Sequence, residues 1–200
     1  TFFSAVMSVC WFGFGKKTEI ASIDMYGGFW YQLRNAFNQR DNSLYKLIAI
    51  NLIVFFVVLI LRVFLTIGGL GELYKSGLSW LMMPASLPKL AIQPWSILTY
   101  MFLHEGVMHI LFNMLWLYWF SEIVILFLGD KKILPIYIMG GLAGAGLYIL
   151  MYNTIPYFKG AMPVAYMAGA SAGVMAIVWA AVALSPDYEI RLPILGNVKI

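Results

Sequence analysis

The chain has 200 residues, of which 62% are hydrophobic and 11% are charged, and its mean hydropathy is +0.83. Soluble domains are roughly half apolar and about a quarter charged, so this composition excludes an ordinary soluble protein. The net charge is +4, but nothing in the sequence indicates a nucleic-acid binder. We attribute the excess of basic residues to membrane topology, because most of them fall on one side of the predicted spans. The composition indicates an integral membrane protein surrounded by a lipid bilayer.

Residues 1–44 precede the first apolar span and are predicted to form a cytoplasmic or interfacial segment. The opening run TFFSAVMSVCWFGFG is apolar but lacks the basic leading segment of a signal peptide. Further on, Phe29, Leu33 and Phe37 lie four residues apart, whereas Arg34 and Arg40 fall on other faces. This pattern predicts a helix that lies on the cytoplasmic surface of the membrane.

Residues 45–200 are predicted to be an all-α membrane domain, a polytopic helical bundle. A membrane helix needs about 20 apolar residues, and four stretches meet this condition. The predicted spans are Leu47–Ile67, Val107–Leu128, Ile133–Tyr152 and Val164–Leu184.

The distribution of Lys and Arg predicts the orientation, because cytoplasmic loops carry an excess of both. With a cytoplasmic N-terminus, only Lys75, Lys89 and Lys159 lie outside, and Arg62 lies near the outer end of the first span. We therefore expect this orientation, in the inner membrane of a bacterium. Nine of the thirteen basic residues then lie inside: Lys16, Lys17, Arg34, Arg40, Lys46, Lys131, Lys132, Arg191 and Lys199.

The segment Gly68–Phe102, between the first two spans, is too apolar for an ordinary loop. Its run LSWLMMPASLPKLAIQPWSILTYMF has Lys89 as its one charge. Such a backbone can lie at membrane depth only where protein or water satisfies its polar groups. We predict a structured, partly embedded loop on the outer side, with Trp80 and Trp95 at the interface.

The stretch LHEGVMHILFN raises the possibility of a zinc site. A zinc-peptidase helix needs two histidines four residues apart, whereas His104 and His109 are five apart. Five residues rotate the second ring by about 140° on a regular helix, so the two rings could not share a metal from one helix. We expect neither a metal nor a cofactor.

His109 and Asn113 are four residues apart and share a helix face. Asn113 then lies about 9 Å below the outer end of the second span. Polar side chains at that depth usually face a cavity or a bundle interior. They could equally be structural residues that hydrogen-bond to neighbouring helices.

The fourth predicted span contains GASAG, which fits the written pattern of a hydrolase nucleophile elbow. That motif needs a strand-to-helix turn, which a continuous membrane helix cannot supply. Small residues here and in MGGLAGAG, where Gly140 and Gly144 are four apart, also indicate close helix packing. On a helix from Val164, Ser171 lies about 10 Å below the outer face, close to the depth of Asn113.

HEGVMHILFNMLWLYWF, a glycine-rich third span and GASAG together resemble the rhomboid family of intramembrane serine proteases. The resemblance implies that Ser171 is the nucleophile, within a Gly-x-Ser motif that includes Gly169. It also implies that His109 and Asn113 help to hold the oxyanion. We expect Ser171, His109 and Asn113 to surround a polar cavity open to the outer side, because an imidazole and an amide in hydrocarbon need partners or water. His104 matches a family histidine with a role in structure or water supply, and the implied partners are transmembrane protein substrates.

The sequence also departs from the family pattern. Ser96 follows Trp95 where arginine is usual, Ile125 replaces a glutamate, and Ala172 follows the serine where glycine is common. The family's base histidine lies on a sixth helix, a position that neither histidine of this chain matches.

We expect the chain to be cut from a longer protein and, by itself, to show little proteolysis. The main hypothesis is an intramembrane serine protease. A rhomboid-like protein that binds membrane clients without cutting them remains open, as does a packing subunit with no site.

Overall fold

The computed structural model describes residues 29–38, 42–185, 189–192 and 196–199. The predicted interfacial segment before residue 29 and the position of Arg40 lie outside the described residues. The chain folds mainly into helices, as predicted. In chain order these are α1 (Phe29–Arg34), α2 (Ser43–Ile67), α3 (Gly71–Ser79), α4 (Leu87–Ile92), α5 (Ser96–Thr99), α6 (Val107–Leu128), α7 (Ile133–Thr154), α8 (Pro156–Lys159) and α9 (Ser171–Leu184).

Three of these helices, α2, α6 and α7, are long and apolar enough to cross a membrane, which confirms the first three predicted spans. The described residues also include two three-residue 3₁₀ turns. One follows α5 at Tyr100–Phe102, and the other precedes α7 at Asp130–Lys132. We use "loop end" for the end of the bundle where α2 terminates and α6 begins.

The prediction of a helix from Val164 is wrong. The fourth apolar helix, α9, has only 14 residues and begins at Ser171. The residues before it pair with the segment between α2 and α6, because strand β1 (Met83–Pro84) runs antiparallel to strand β2 (Tyr166–Met167). A second antiparallel pair follows α9, with β3 at Glu189–Leu192 and β4 at Gly196–Lys199.

The segment between α2 and α6 is structured, as predicted. Trp80 and Trp95 stack with their ring centroids 5.9 Å apart, and the Trp95 indole N–H donates to the Trp80 carbonyl at 2.8 Å. The Gln93 amide donates to two further carbonyls, of Ser79 and Met82, at 3.0 Å each. Backbone carbonyls at the end of α3 and just beyond it thus gain partners from side chains of the same segment. Its depth in the membrane and its side remain predictions.

The short helix α1 carries part of the predicted interfacial pattern. Leu33 packs against the core and Ala36 is fully buried, whereas Tyr31 and Phe37 are exposed. One side of this segment therefore faces the bundle, and its position on the membrane surface stays a prediction.

Helix α9 packs against both α6 and α7, and small residues allow the close approach to α7. A Cβ placed on Gly144 would lie 2.5 Å from the Cβ of Ala172, and one on Gly173 would lie 2.7 Å from the Tyr137 carbonyl oxygen. A Cβ on Gly140 would overlap that of Ala176. The predicted role of these residues in close helix packing is confirmed.

Replacing Gly140 with leucine should therefore destabilise the bundle. We expect the free energy of unfolding to fall by about 2–3 kcal/mol or more, because the new side chain must push α9 away from α7. The measurement is unfolding of the purified protein in detergent. Gly146→Leu on the same helix is the control, since nothing lies within 4 Å of a Cβ there. Equal stability of the two variants would contradict the packing assignment.

Asp130 links the start of α2 to the connection between α6 and α7. Its carboxylate accepts hydrogen bonds from the backbone N–H of Ser43, at 2.6 Å, and of Leu44, at 3.3 Å. The first N–H groups of a helix have no partners within it, and a negative charge is favourable there. The remote carboxylate therefore acts as the N-terminal cap of α2.

Asp130→Ala should lower the free energy of unfolding by about 1 kcal/mol, the usual cost of losing an N-terminal cap. Unfolding in detergent measures this change. Glu72→Ala is the control, because Glu72 forms only an exposed ion pair with Lys75 and should change stability by less than about 0.5 kcal/mol. An unchanged stability of Asp130→Ala would show that water replaces the carboxylate at no cost.

Candidate active site

Ser171 is the first residue of α9 and follows a strand and a turn. Strand β2 ends at Met167, Gly169 has a φ of +131°, and the helix begins two residues later. The prediction that this sequence cannot form a strand-to-helix turn is therefore wrong. It assumed a helix through Val164, whereas the backbone before Ser171 hydrogen-bonds to other parts of the chain. The Ser171 side chain is exposed at the loop end.

His109 lies directly against Gly169. A Cβ built on Gly169 would lie 2.8 Å from His109 Nε2, and the same point is 3.8 Å from Ser171 Oγ. The imidazole thus occupies the space that any other side chain at residue 169 would need. A φ of +131° also favours glycine. Gly169 is therefore required for two reasons, its backbone conformation and the contact with His109.

Asn113 lies one helical turn beyond His109 and is buried, with 8% of its surface exposed. Its side-chain amide donates to the His109 carbonyl at 2.8 Å. This bond uses one of the two amide hydrogens and holds the side chain along the face it shares with His109. The arrangement fits both readings of Asn113, a structural residue and a donor beside Ser171.

His104 precedes α6, so it does not belong to the helix that carries His109. The two rings meet edge to face with their centroids 5.0 Å apart. The rotation argument against a shared metal therefore does not apply, since it assumed one regular helix. Within the described residues, no three His, Cys, Asp or Glu side chains form a group that could hold a metal.

The His104 imidazole is 5% exposed, and burial lowers its pKa to about 4, with a smaller contribution from His109. The Phe102 backbone opposes this shift. Neither ring nitrogen reaches a partner at hydrogen-bonding geometry within the described structure. His104 is therefore a buried ring that is neutral at pH 7.

The segment before Ser171 is held by Tyr100 and Lys89, which the sequence analysis did not assign to the site. The Gly169 N–H donates to the Tyr100 carbonyl at 2.9 Å, and the Tyr100 hydroxyl donates to the Gly141 carbonyl at 2.7 Å. Lys89 donates to the Pro163 carbonyl at 2.7 Å. The signal for Lys89 was its isolation as a single charge in an apolar stretch, whereas nothing in the sequence distinguished Tyr100.

A sequence model of the Rhomboid domain matches residues 91–197, which is more than half of the chain. The chain belongs to the rhomboid family. Rhomboid protease GlpG of Salmonella newport is 33% identical over 87 residues, and those of Salmonella heidelberg and Salmonella agona match equally well. The aligned region covers 44% of this chain and 30% of each of these relatives.

Two departures of this rhomboid chain from the family pattern have a structural explanation. Ala172, where glycine is common, packs against Gly144, which provides the space for the extra methyl group. Ser96, where arginine is usual, is fully buried, and its hydroxyl donates to the Gln93 carbonyl at 2.7 Å. Both substitutions therefore fit their surroundings. Ile125 packs against the core near the end of α6.

Proposed function

We propose that the chain is the serine-bearing part of an intramembrane serine protease. Its substrates are transmembrane proteins, cut near the outer membrane face. The observation that carries the proposal is the turn at Gly169, with Ser171 Oγ and His109 Nε2 both within 4 Å of one point beside it. Membership of the rhomboid family supports the same reading.

In the proposed mechanism, the Ser171 hydroxyl attacks the peptide carbonyl while a base takes its proton. The developing oxyanion is stabilised by hydrogen-bond donors fixed in advance, for which we assign the imidazole of His109 and the amide of Asn113. One such donor contributes about 3–4 kcal/mol in a well-studied soluble protease. The Asn113 amide retains one hydrogen after its bond to the His109 carbonyl.

We assign the base to a histidine outside residues 1–200, as the family resemblance implies. Within the described part of the chain, no histidine hydrogen-bonds to the Ser171 hydroxyl. Both histidines of the sequence are also accounted for, since His109 packs on Gly169 and His104 is buried behind it. The same observation favours the second candidate, a rhomboid-like protein that binds clients without cutting them.

We also propose that the N-terminus is cytoplasmic and that the loop end faces outward, in a bacterial inner membrane. The Asp130 contact brings the start of α2 to the α6–α7 connection, so Lys46, Lys131 and Lys132 lie at one end of the bundle. The loop end is assigned four basic residues, Arg62, Lys75, Lys89 and Lys159, against the nine that the sequence assigns to the other side. This difference fits the excess of Lys and Arg in cytoplasmic loops.

The test compares two forms of the protein in membranes, the full gene product and residues 1–200, with a transmembrane reporter as substrate. We expect the full product to cleave the reporter near its outer end and the 200-residue form to show little turnover. Robust turnover by the 200-residue form would mean that His104 or His109 is the base. Retention of transmembrane clients by the full product without cleavage would support the binding protein instead.

A further inference from the structure

A polar cavity lies at the loop end, apart from Ser171, His109 and Asn113. It has a volume of about 330 Å³ and is lined by Arg62, Tyr74, Leu78, His104 and Glu105. Ligand pockets in proteins measure about 300–1,000 Å³, so this cavity is large enough for a small ligand or a head group.

The cavity presents both signs of charge. Arg62 and Glu105 are both exposed residues that line it, and they form no ion pair with each other within 4 Å. Among the described residues, the ion pair between Lys75 and Glu72 is the one that forms. A cation and a carboxylate that face one cavity without pairing suit a ligand that carries both an anionic and a cationic group.

His104 lies in the wall of the cavity. The residue is 5% exposed and lines the cavity, but each of its ring nitrogens has almost no accessible surface. The ring therefore forms part of the wall of the cavity, and the ligand contacts come from the other lining residues.

The N-terminus of α6 borders the same region. Its N-terminal cap, Gly106, supplies no side-chain hydrogen bond, so the first N–H groups of the helix remain available. The partial positive charge of a helix N-terminus favours an anion such as a phosphate. Together with the guanidinium of Arg62 and the phenol of Tyr74, it defines the anionic side of the cavity.

The polar cavity continues into an apolar groove on α2. A neighbouring cavity shares Arg62, Tyr74, His104 and Glu105 and extends along Phe55, Val58 and Leu59. A free phosphate ester would use only the polar part. An amphiphile with acyl chains would use both parts, which distinguishes a membrane lipid from a soluble ion.

We propose that this cavity binds one phospholipid with a zwitterionic, primary-ammonium head group, of the phosphatidylethanolamine class. The phosphate contacts Arg62, Tyr74 and the N-terminus of α6, and the ammonium contacts Glu105. An acyl chain follows the groove at Phe55, Val58 and Leu59. The proposal does not rest on the proposed protease function, although His104 lines the cavity and contacts His109.

The test is native mass spectrometry of the purified full chain in detergent, with added short-chain phosphatidylethanolamine, short-chain phosphatidylglycerol or free O-phosphoethanolamine. We expect one phosphatidylethanolamine to bind about tenfold more tightly than phosphatidylglycerol, and free O-phosphoethanolamine to bind more weakly still. The reason is that the loss of one charged hydrogen bond costs about 1.5–3 kcal/mol, or roughly tenfold or more in affinity.

The variants separate the two charges. Arg62→Gln should weaken phosphatidylethanolamine binding about tenfold, and Glu105→Gln should remove the preference over phosphatidylglycerol. Arg62→Lys, which keeps the charge, should bind within about threefold of wild type, and thermal unfolding checks that each variant is folded. Lys75→Gln is the control, because Lys75 lies at the same end of the bundle, outside the cavity.

Three results would overturn the proposal. The first is equal binding of the two lipids by wild type, and the second is unchanged binding by folded Arg62→Gln. The third is equal affinity for O-phosphoethanolamine and the lipid, which would assign the cavity to a soluble phosphate ester.

Discussion

Ser171→Ala is expected to abolish labelling of the full gene product by a fluorophosphonate probe. Cleavage of a transmembrane reporter should fall by at least about ten-thousandfold, because no other group can form the acyl intermediate. Fluorophosphonates react with a serine only when it is activated as a nucleophile, so the probe reports on Ser171 without a substrate. The measurements are gel fluorescence after labelling and the rate of reporter cleavage.

Ser76→Ala is the control for that experiment. Ser76 lies on α3 and is exposed at the loop end, as Ser171 is, but it lies outside the turn at Gly169. This variant should label and cleave like wild type. Equal labelling of Ser171→Ala and wild type would show that the nucleophile is another residue, and the protease proposal would then lose its central group.

Gly169→Ala is expected to reduce reporter cleavage by at least about a hundredfold. An alanine at a φ of +131° is strained, by about 1–3 kcal/mol. Its Cβ would also lie 2.9 Å or less from two atoms of the His109 ring. The ring or the turn must therefore move, and a displacement of about 1 Å at a reacting group can cost a hundredfold in rate.

Gly160→Ala is the matched control. Gly160 directly follows α8, in the connection that leads to the turn at Gly169, and its φ is −63°. A Cβ built on Gly160 has no atom within 4 Å. It should retain full activity. Thermal unfolding of both variants separates misplacement of the site from general loss of stability. Wild-type cleavage by folded Gly169→Ala would mean that the contact between His109 and Gly169 has no role in the reaction.

The site shows which parts of the prediction depended on the backbone. The helical spacing of His109 and Asn113 predicted a shared face, and the amide of Asn113 indeed bonds to the His109 carbonyl one turn away. The depth argument for Ser171 assumed a helix from Val164 and was wrong. Ser171 still lies beside His109, because a turn at Gly169 brings it there. The roles of these residues in catalysis stay predictions.

The failure at Val164 has a physical cause. Residues 164–170 are apolar or small, and such a short run does not distinguish a helix from an extended segment. The choice is made by partners far away in sequence, since the Ala85 N–H donates to the Ala165 carbonyl and the Gly169 N–H donates to that of Tyr100. The second span was predicted with the bounds that α6 has, Val107–Leu128. The rotation argument for His104 and His109 does not apply because His104 lies before that helix.

The sequence by itself determined the membrane class, the three long spans and the close packing of small residues, because bilayer thickness and helical periodicity are local conditions. Only the tertiary structure decided that Ser171 begins a helix after a strand, that Asp130 caps α2, and that His104 faces a charged cavity. Each of these depends on a contact between segments far apart in the chain. A polar group in an apolar protein takes whichever partner the fold brings within reach, and the local sequence does not contain that information.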